Sequence, residues 1–233
     1  MNMNPPIWNS LEEEIVSCRL CPRLVAWREE IARIKRRAFM GETYWGKPVP
    51  GFGDIHGRLL VIGLAPGAHG SNRTGRMFTG DSSGDFLYPA LHRAGFANQA
   101  ISHSRDDQLS LRNIWISAVC RCVPPGNKPL PEEMTNCSRY LKREWDLLPL
   151  QGVIALGKIA YDQTFRLLKN RVQSLPTPPP FGHGNVFEPG NGIPWVLASY
   201  HPSRQNTQTG KLTTAMFDSI WKTTNERLNV TSL

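Results

Sequence analysis

The chain has 233 residues, 40% of them hydrophobic and 20% charged, an ordinary globular balance with enough length to bury a core as one domain. Lysine and arginine outnumber aspartate and glutamate 27 to 19, and the formal charge of +8 favours a polyanionic partner. No apolar run approaches the roughly 20 residues of a bilayer span, so no membrane partner is expected.

Met1–Trp8 has neither the basic start nor the apolar stretch of a secretory signal. The expected compartment is therefore the reducing cytosol (cytoplasmic), where five cysteines serve as metal ligands more often than as disulfides. Ser10-Leu11-Glu12-Glu13 has capping-box spacing and predicts a short helix running toward Cys18. A second helix is expected from Leu24 to about Arg37, with Arg33, Lys35, Arg36 and Arg37 on a solvated face. Arg58–Leu64 reads as a buried strand feeding the glycine-rich loop Ala65–Gly70. The expected elements then follow as helix Phe86–Gly95, strand Asn113–Val119, helix Pro131–Leu148, strand Gly152–Leu156 and helix Gly157–Leu168. A proline-glycine connection, Pro176–Gly184, leads to strand Trp195–Ser199 and a closing helix Leu212–Leu228.

This alternation predicts a three-layer α/β/α fold on a central four-stranded parallel sheet, with residues 1–50 as a helical annex of the single domain 1–233. Ligands of such sheets bind beyond the carboxyl ends of the strands. Those ends carry the glycine loop, the Cys122 segment, the Gly157 turn and the His201 loop.

Two pairs of thiols stand far apart in the chain. Cys18 and Cys21 form a C-x-x-C, and Cys122 and Cys137 flank V-P-P-G-N-K-P-L-P-E-E-M-T-N, so four thiolates could meet at one metal. The glycine loop matches neither a dinucleotide fingerprint nor a P-loop. The segment after it, G-S-N-R-T-G-R-M-F-T-G-D, combines an aromatic, a carboxylate and two arginines, a set suited to stacking a base, activating water and holding phosphate.

Taken in order, Cys-x-x-Cys, G-L-A-P-G-A-H-G, N-R-T-G-R-M-F-T-G-D, C-V-P-P-G-N-K-P-L-P-E-E and H-P-S resemble the iron–sulfur branches of the uracil-DNA glycosylase superfamily. The A-P-G-A-H-G and F-T-G-D forms are most similar to family 5, also called type B. That resemblance implies a [4Fe-4S] cluster on Cys18, Cys21, Cys122 and Cys137, with four-thiolate zinc as the alternative and Cys120 as a buried free thiol. It implies Asp81 as the carboxylate that orients water, against the simpler reading of Asp81 as a helix cap. His201 would donate to the departing base. Phe78, Asn127 and the backbone of Ala65 and Gly67 would hold the base, with Ala68 and His69 as further donors. Arg73, Ser203, Arg204, Gln205 and Lys211 would contact DNA, the H-P-S loop filling the gap left by the flipped nucleotide. The proline-rich run from Pro176 would line the DNA edge.

The expected activity is monofunctional hydrolysis of the N-glycosidic bond of uracil in DNA, and of other deaminated bases such as hypoxanthine, by a monomer. The rival reading is a non-catalytic iron–sulfur or zinc nucleic-acid-binding protein on the same fold. A two-metal nuclease is disfavoured, because few acidic residues fall on the crevice loops.

Overall fold

The structure, a computed structural model describing residues 5–230, is built on strands β1 (Phe52–Gly53), β2 (Leu59–Gly63), β3 (Ile114–Ala118), β4 (Gly152–Leu156), β5 (Val186–Phe187) and β6 (Trp195–Ser199). The helices are α1 (Pro6–Val16), α2 (Pro22–Ile34), α3 (Ser71–Thr74), α4 (Gly84–Arg93), α5 (Pro131–Leu147), α6 (Lys158–Lys169), α7 (Arg204–Gln208) and α8 (Thr214–Val230). Met1–Asn4, the first half of the Met1–Trp8 segment that lacks a secretory-signal pattern, lie outside the described residues.

Across the sheet the order is β1-β3-β2-β4-β6-β5. The four central strands are parallel, as expected, and Val61 registers with Ile116 on one side and Ile154 on the other. The expected four-stranded sheet is nevertheless corrected to a mixed, six-stranded one. The edge strands β1 and β5 pair antiparallel over two residues each, too short for any alternation to show in the sequence.

Alternation along the buried strands splits the core in two. Leu59, Val61, Ile154 and Leu197 point to one face, where Leu87 and Leu91 of α4 and Phe217 and Trp221 of α8 cover them. Leu60, Ile62, Val153 and Val196 point to the other, against Tyr140 and Leu141 of α5, Tyr161 and Phe165 of α6 and the annex residues Trp8, Leu11 and Ile15. β2 therefore leads to a helix on one face and its neighbour β4 to a helix on the opposite face. The connections diverge and leave a crevice at the strand carboxyl ends. Among the described residues, no helix is long and apolar enough to cross a membrane.

Two helix boundaries are corrected. α1 begins at Pro6 with Pro5 at its cap, so Ser10 lies mid-helix and forms no capping box. The buried spacing Trp8, Leu11, Ile15 marks the helix better than the polar signal does. α2 stops at Ile34, because Lys35 takes a left-handed φ of 55° and its Nζ donates to the carbonyls of Met40 and Glu42. The basic run does not continue a solvated helix; it turns toward the crevice.

Candidate active site

A cavity of about 890 Å³ opens at the carboxyl ends of the parallel strands. The glycine loop after β2, Ala118 at the end of β3, the Phe78–Asp81 segment, Asn127, His201 and the start of α7 line it. The structure thus gathers Asp81, His201, Ala65, Gly67, Phe78, Asn127, Ser203, Arg204 and Gln205 around one space.

The two oxygens of Asp81 have different surroundings. Oδ1 accepts from the backbone N–H of Ser83 (3.0 Å) and Gly84 (3.2 Å), which caps the start of α4. Oδ2 faces the glycine loop, and a methyl group built on Gly67 would lie 2.6 Å from it. The loop can wrap the carboxylate because Gly67 and Gly70 carry no side chain there. Burial pushes the Asp81 carboxyl above the usual range, while the two N–H donors and Arg73 pull the other way.

His201 follows β6, and Asn206 Nδ2 donates to its carbonyl at 2.8 Å. Its ring lies nearly parallel to that of Phe78, with centroids 5.8 Å apart and planes at 28°. Burial lowers its pKa to about 4, so at neutral pH the imidazole is uncharged. Phe78 is both core and cavity wall: it is 8% exposed, packs under Gly63 and has a left-handed φ of 52°. Among the described residues, the backbone N–H groups of Ala65, Gly67 and Ala68 have no protein acceptor, leaving three donors for a ligand. Asn127 ends the Pro125–Asn127 turn with its side chain exposed at the cavity.

Arg73, expected at a phosphate, is committed elsewhere. Its guanidinium pairs with Glu42, donates to the carbonyls of His69 (2.8 Å) and Gly80 (3.0 Å) and lies 4.0 Å over the Phe39 ring. Only 10% of the side chain is exposed, so it braces the glycine loop against the Asp81 segment. Ser203 Oγ accepts from Asn206 N–H and caps α7, so the expected H-P-S loop is half helical, with Arg204 and Gln205 exposed on its first turn. Lys211 lies outside the cavity, its Nζ 4.9 Å over Tyr200. The proline-rich run is also outside it: Pro179 accepts from the Tyr161 hydroxyl, and Phe181 packs on Tyr161 and Tyr200.

Arg36, Phe39 and Tyr44 belong to the site although no sequence motif marks them. Arg36 and Phe39 line the cavity because of the turn at Lys35. Tyr44 reaches His69 Nδ1 with its hydroxyl at 3.0 Å. No motif spacing announces contacts made by so distant a segment.

Cys18, Cys21, Cys122 and Cys137 line a single small cavity between α2 and α5, and the fully buried Cys120 is not among its lining residues. Arg28 Nη1 donates to Cys122 Sγ at 3.1 Å, and Asn136 Nδ2 to Cys21 Sγ at 3.5 Å. Among the described residues, no three histidine, cysteine, aspartate or glutamate side chains already stand in metal-holding geometry. The donor set nonetheless fits a thiolate-bound group: four sulfurs at one void, two of them receiving N–H donors of the kind that stabilise cluster thiolates.

Fold and site together define an α/β/α protein whose strand ends bring a carboxylate, an imidazole and an aromatic ring into one nucleotide-sized cleft. A profile of the uracil DNA glycosylase superfamily matches residues 50–225, beginning just after the annex. Type-5 uracil-DNA glycosylase of Mycobacterium tuberculosis is 52% identical over 88% of this chain and 76% of its own length. That of Thermus thermophilus is 52% identical over 88% and 91%, and that of Mycobacterium leprae 50% over 91% and 92%. The chain belongs to the uracil DNA glycosylase superfamily.

Proposed function

We propose that this protein, like its relatives named type-5 uracil-DNA glycosylase, is a uracil-DNA glycosylase, that it is monofunctional, and that Asp81 is its catalytic carboxylate. The observation that carries this reading is the split of Asp81: one oxygen is spent on the α4 cap and the other is held against the glycine loop inside the cleft. The reaction breaks the bond between C1′ and the base nitrogen, placing positive charge on the sugar and negative charge on the base. Asp81 orients water and stabilises the sugar cation. His201, neutral and therefore a single-proton donor, and the free N–H groups of the glycine loop stabilise the departing anion. Phe78 stacks on the base and Asn127 pairs with its edge. Arg204 and Gln205 on α7, and Ser203 at its cap, face the DNA backbone, with Lys211 further out.

The first loop offers Ala65 where a polar side chain could select uracil, and this supports acceptance of other deaminated bases such as hypoxanthine. A [4Fe-4S] cluster on Cys18, Cys21, Cys122 and Cys137 belongs to the same proposal, with zinc as the alternative metal. When bound, it supplies a cross-link between the annex and α5, and no redox step. All five cysteines are free, in keeping with a reducing cytosol, and we take the enzyme to be a single-domain monomer.

The test is a single-turnover incubation with a labelled duplex carrying one U·G pair, followed by alkali. Strand scission only after alkali supports the proposal. Salt-dependent binding without base release by iron-loaded protein supports the rival, non-catalytic nucleic-acid-binding protein.

A further inference from the structure

His69 lines the cavity, as do Arg36 and Phe39. Its ring environment is unusually determined. The backbone N–H of Arg36 donates to the Tyr44 hydroxyl oxygen at 3.4 Å, and that oxygen lies 3.0 Å from His69 Nδ1. Tyr44 is only 7% exposed. An N–H can only donate, so the Tyr44 oxygen accepts from Arg36 and its own proton is free for Nδ1. The opposite polarity, with Nδ1–H donating to Tyr44, would leave a buried hydroxyl proton without an acceptor, which costs about 1–3 kcal/mol. Burial, with the nearby cations of Arg36 and Arg73, lowers the His69 pKa and keeps the ring neutral. A neutral imidazole accepting at Nδ1 carries its single proton on Nε2.

The guanidinium of Arg36 supplies the second part. It is exposed, lines the same cavity and makes no hydrogen bond or ion pair among the described residues. Arg73 holds this wall in place by bonding the His69 carbonyl while lying over Phe39. An N–H donor beside an uncommitted cation is the chemistry that receives an anionic oxygen.

We propose that Tyr44 is a positioning residue that holds His69 as its Nε2–H tautomer, and that this N–H and the Arg36 guanidinium together bind a phosphodiester oxygen next to the everted nucleotide. DNA as the ligand rests on the glycosylase reading. The tautomer and its dependence on Tyr44 do not.

Three measurements test it. Long-range 1H–15N spectra of the wild type should show His69 with a pyridine-like Nδ1 and a pyrrole-like Nε2, and Tyr44→Phe should average the two. A protonated Nδ1 in the wild type would overturn the proposal. Affinity is then measured on a duplex whose target uridine carries a 2′-fluoro-arabino sugar that resists cleavage, with methylphosphonates placed singly at the flanking linkages. One linkage should cost the wild type about tenfold in Kd, and cost His69→Leu or Arg36→Gln less than twofold. Equal penalties in wild type and variants at every linkage would sink the phosphate contact. His69→Gln, which keeps an N–H donor, should recover most of the affinity that His69→Leu loses; no recovery counts against the donor role. Tyr44→Phe should raise Kd several-fold with the single-turnover rate at saturation unchanged, whereas a merely destabilised fold would raise Kd and lower the rate together. Uracil release by the wild type on an unmodified duplex tests the glycosylase reading separately, since none of these binding measurements requires cleavage.

Discussion

The carboxylate of Asp81 lies so close to the α-carbon of Gly70 that a methyl group there would stand 2.0 Å from Oδ2. Contact with Asp81 by itself requires that position 70 carry no side chain. Gly70→Ala should push Asp81 off its water position and cut the single-turnover rate about 100-fold. Melting temperature should move by only a few degrees, and a rate near the wild type would show that Oδ2 is not held for chemistry.

Cap and catalyst can be separated at Asp81 itself. Asp81→Asn keeps an acceptor for Ser83 and Gly84 but removes the charge, so base release should fall about 10²–10⁴-fold with stability nearly unchanged. Asp81→Ala should lose a similar factor in rate and also about 1 kcal/mol of stability with the cap. Denaturant melts and single-turnover rates of both variants check this. Equal destabilisation with rates retained would make Asp81 a cap alone.

Acid should act on this protein in two ways. The proposed role requires Asp81 ionised, and burial raises its pKa, so the rate should fall on acidification at a higher pH than an ordinary carboxylate would give. His201 is depressed to about 4 in the folded state. Between about pH 6.5, its unfolded value, and pH 4 the unfolded chain binds the additional proton, so stability is full above that window and declines as pH falls through it. The ring is only half-buried, so the loss is on the order of 2 kcal/mol rather than the full conversion. Urea melts across that range should be steeper in pH for the wild type than for His201→Gln; parallel curves would refute the assignment.

Salt dependence distinguishes arginines that touch DNA from one that braces a loop. Arg73→Ala should leave the slope of log K against log salt unchanged while lowering the rate, because its guanidinium is spent on Glu42, His69 and Gly80. Arg204→Ala should reduce that slope by about 0.9, and Lys211→Ala likewise if its exposed amine reaches a phosphate. A slope lowered by Arg73→Ala would restore the role read from its position in the motif.

The contrast at Arg73 shows what the sequence could reveal. Gly152–Leu156 and Trp195–Ser199 are uninterrupted apolar runs between turn residues, and both strands fall at the expected positions. Phe78, Asp81 and His201 stand at the ends of such strands or on the loop after one, so order and chemistry sufficed to bring them together. Arg73 lies within the same motif, yet its partner Glu42 approaches from a segment whose path depends on the turn at Lys35. The same turn hid Arg36, Phe39 and Tyr44. Local pattern reports which side chains a strand presents, and says little about where an irregular segment crosses over them.

The thiols give a compositional prediction. Cys122→Ala should abolish bound iron, whereas Cys120→Ala should retain it, because Cys120 is not among the residues lining the shared cavity. Iron and sulfide analysis of the two purified variants decides it. Zinc in place of both elements in the wild type would change the metal without changing the ligands.

The glycine loop, Phe78 and Asp81 all lie in one stretch following β2, whereas His201 arrives only after β6, the last of the described strands. A nascent chain leaving the ribosome therefore carries the carboxylate half of the cleft long before the imidazole half. β6 must dock beside β4 before the two meet, and α8 must then seal the face behind it. On the roles proposed above, a fragment ending before Trp195 lacks the imidazole half of the cleft and should release no base even if it folds.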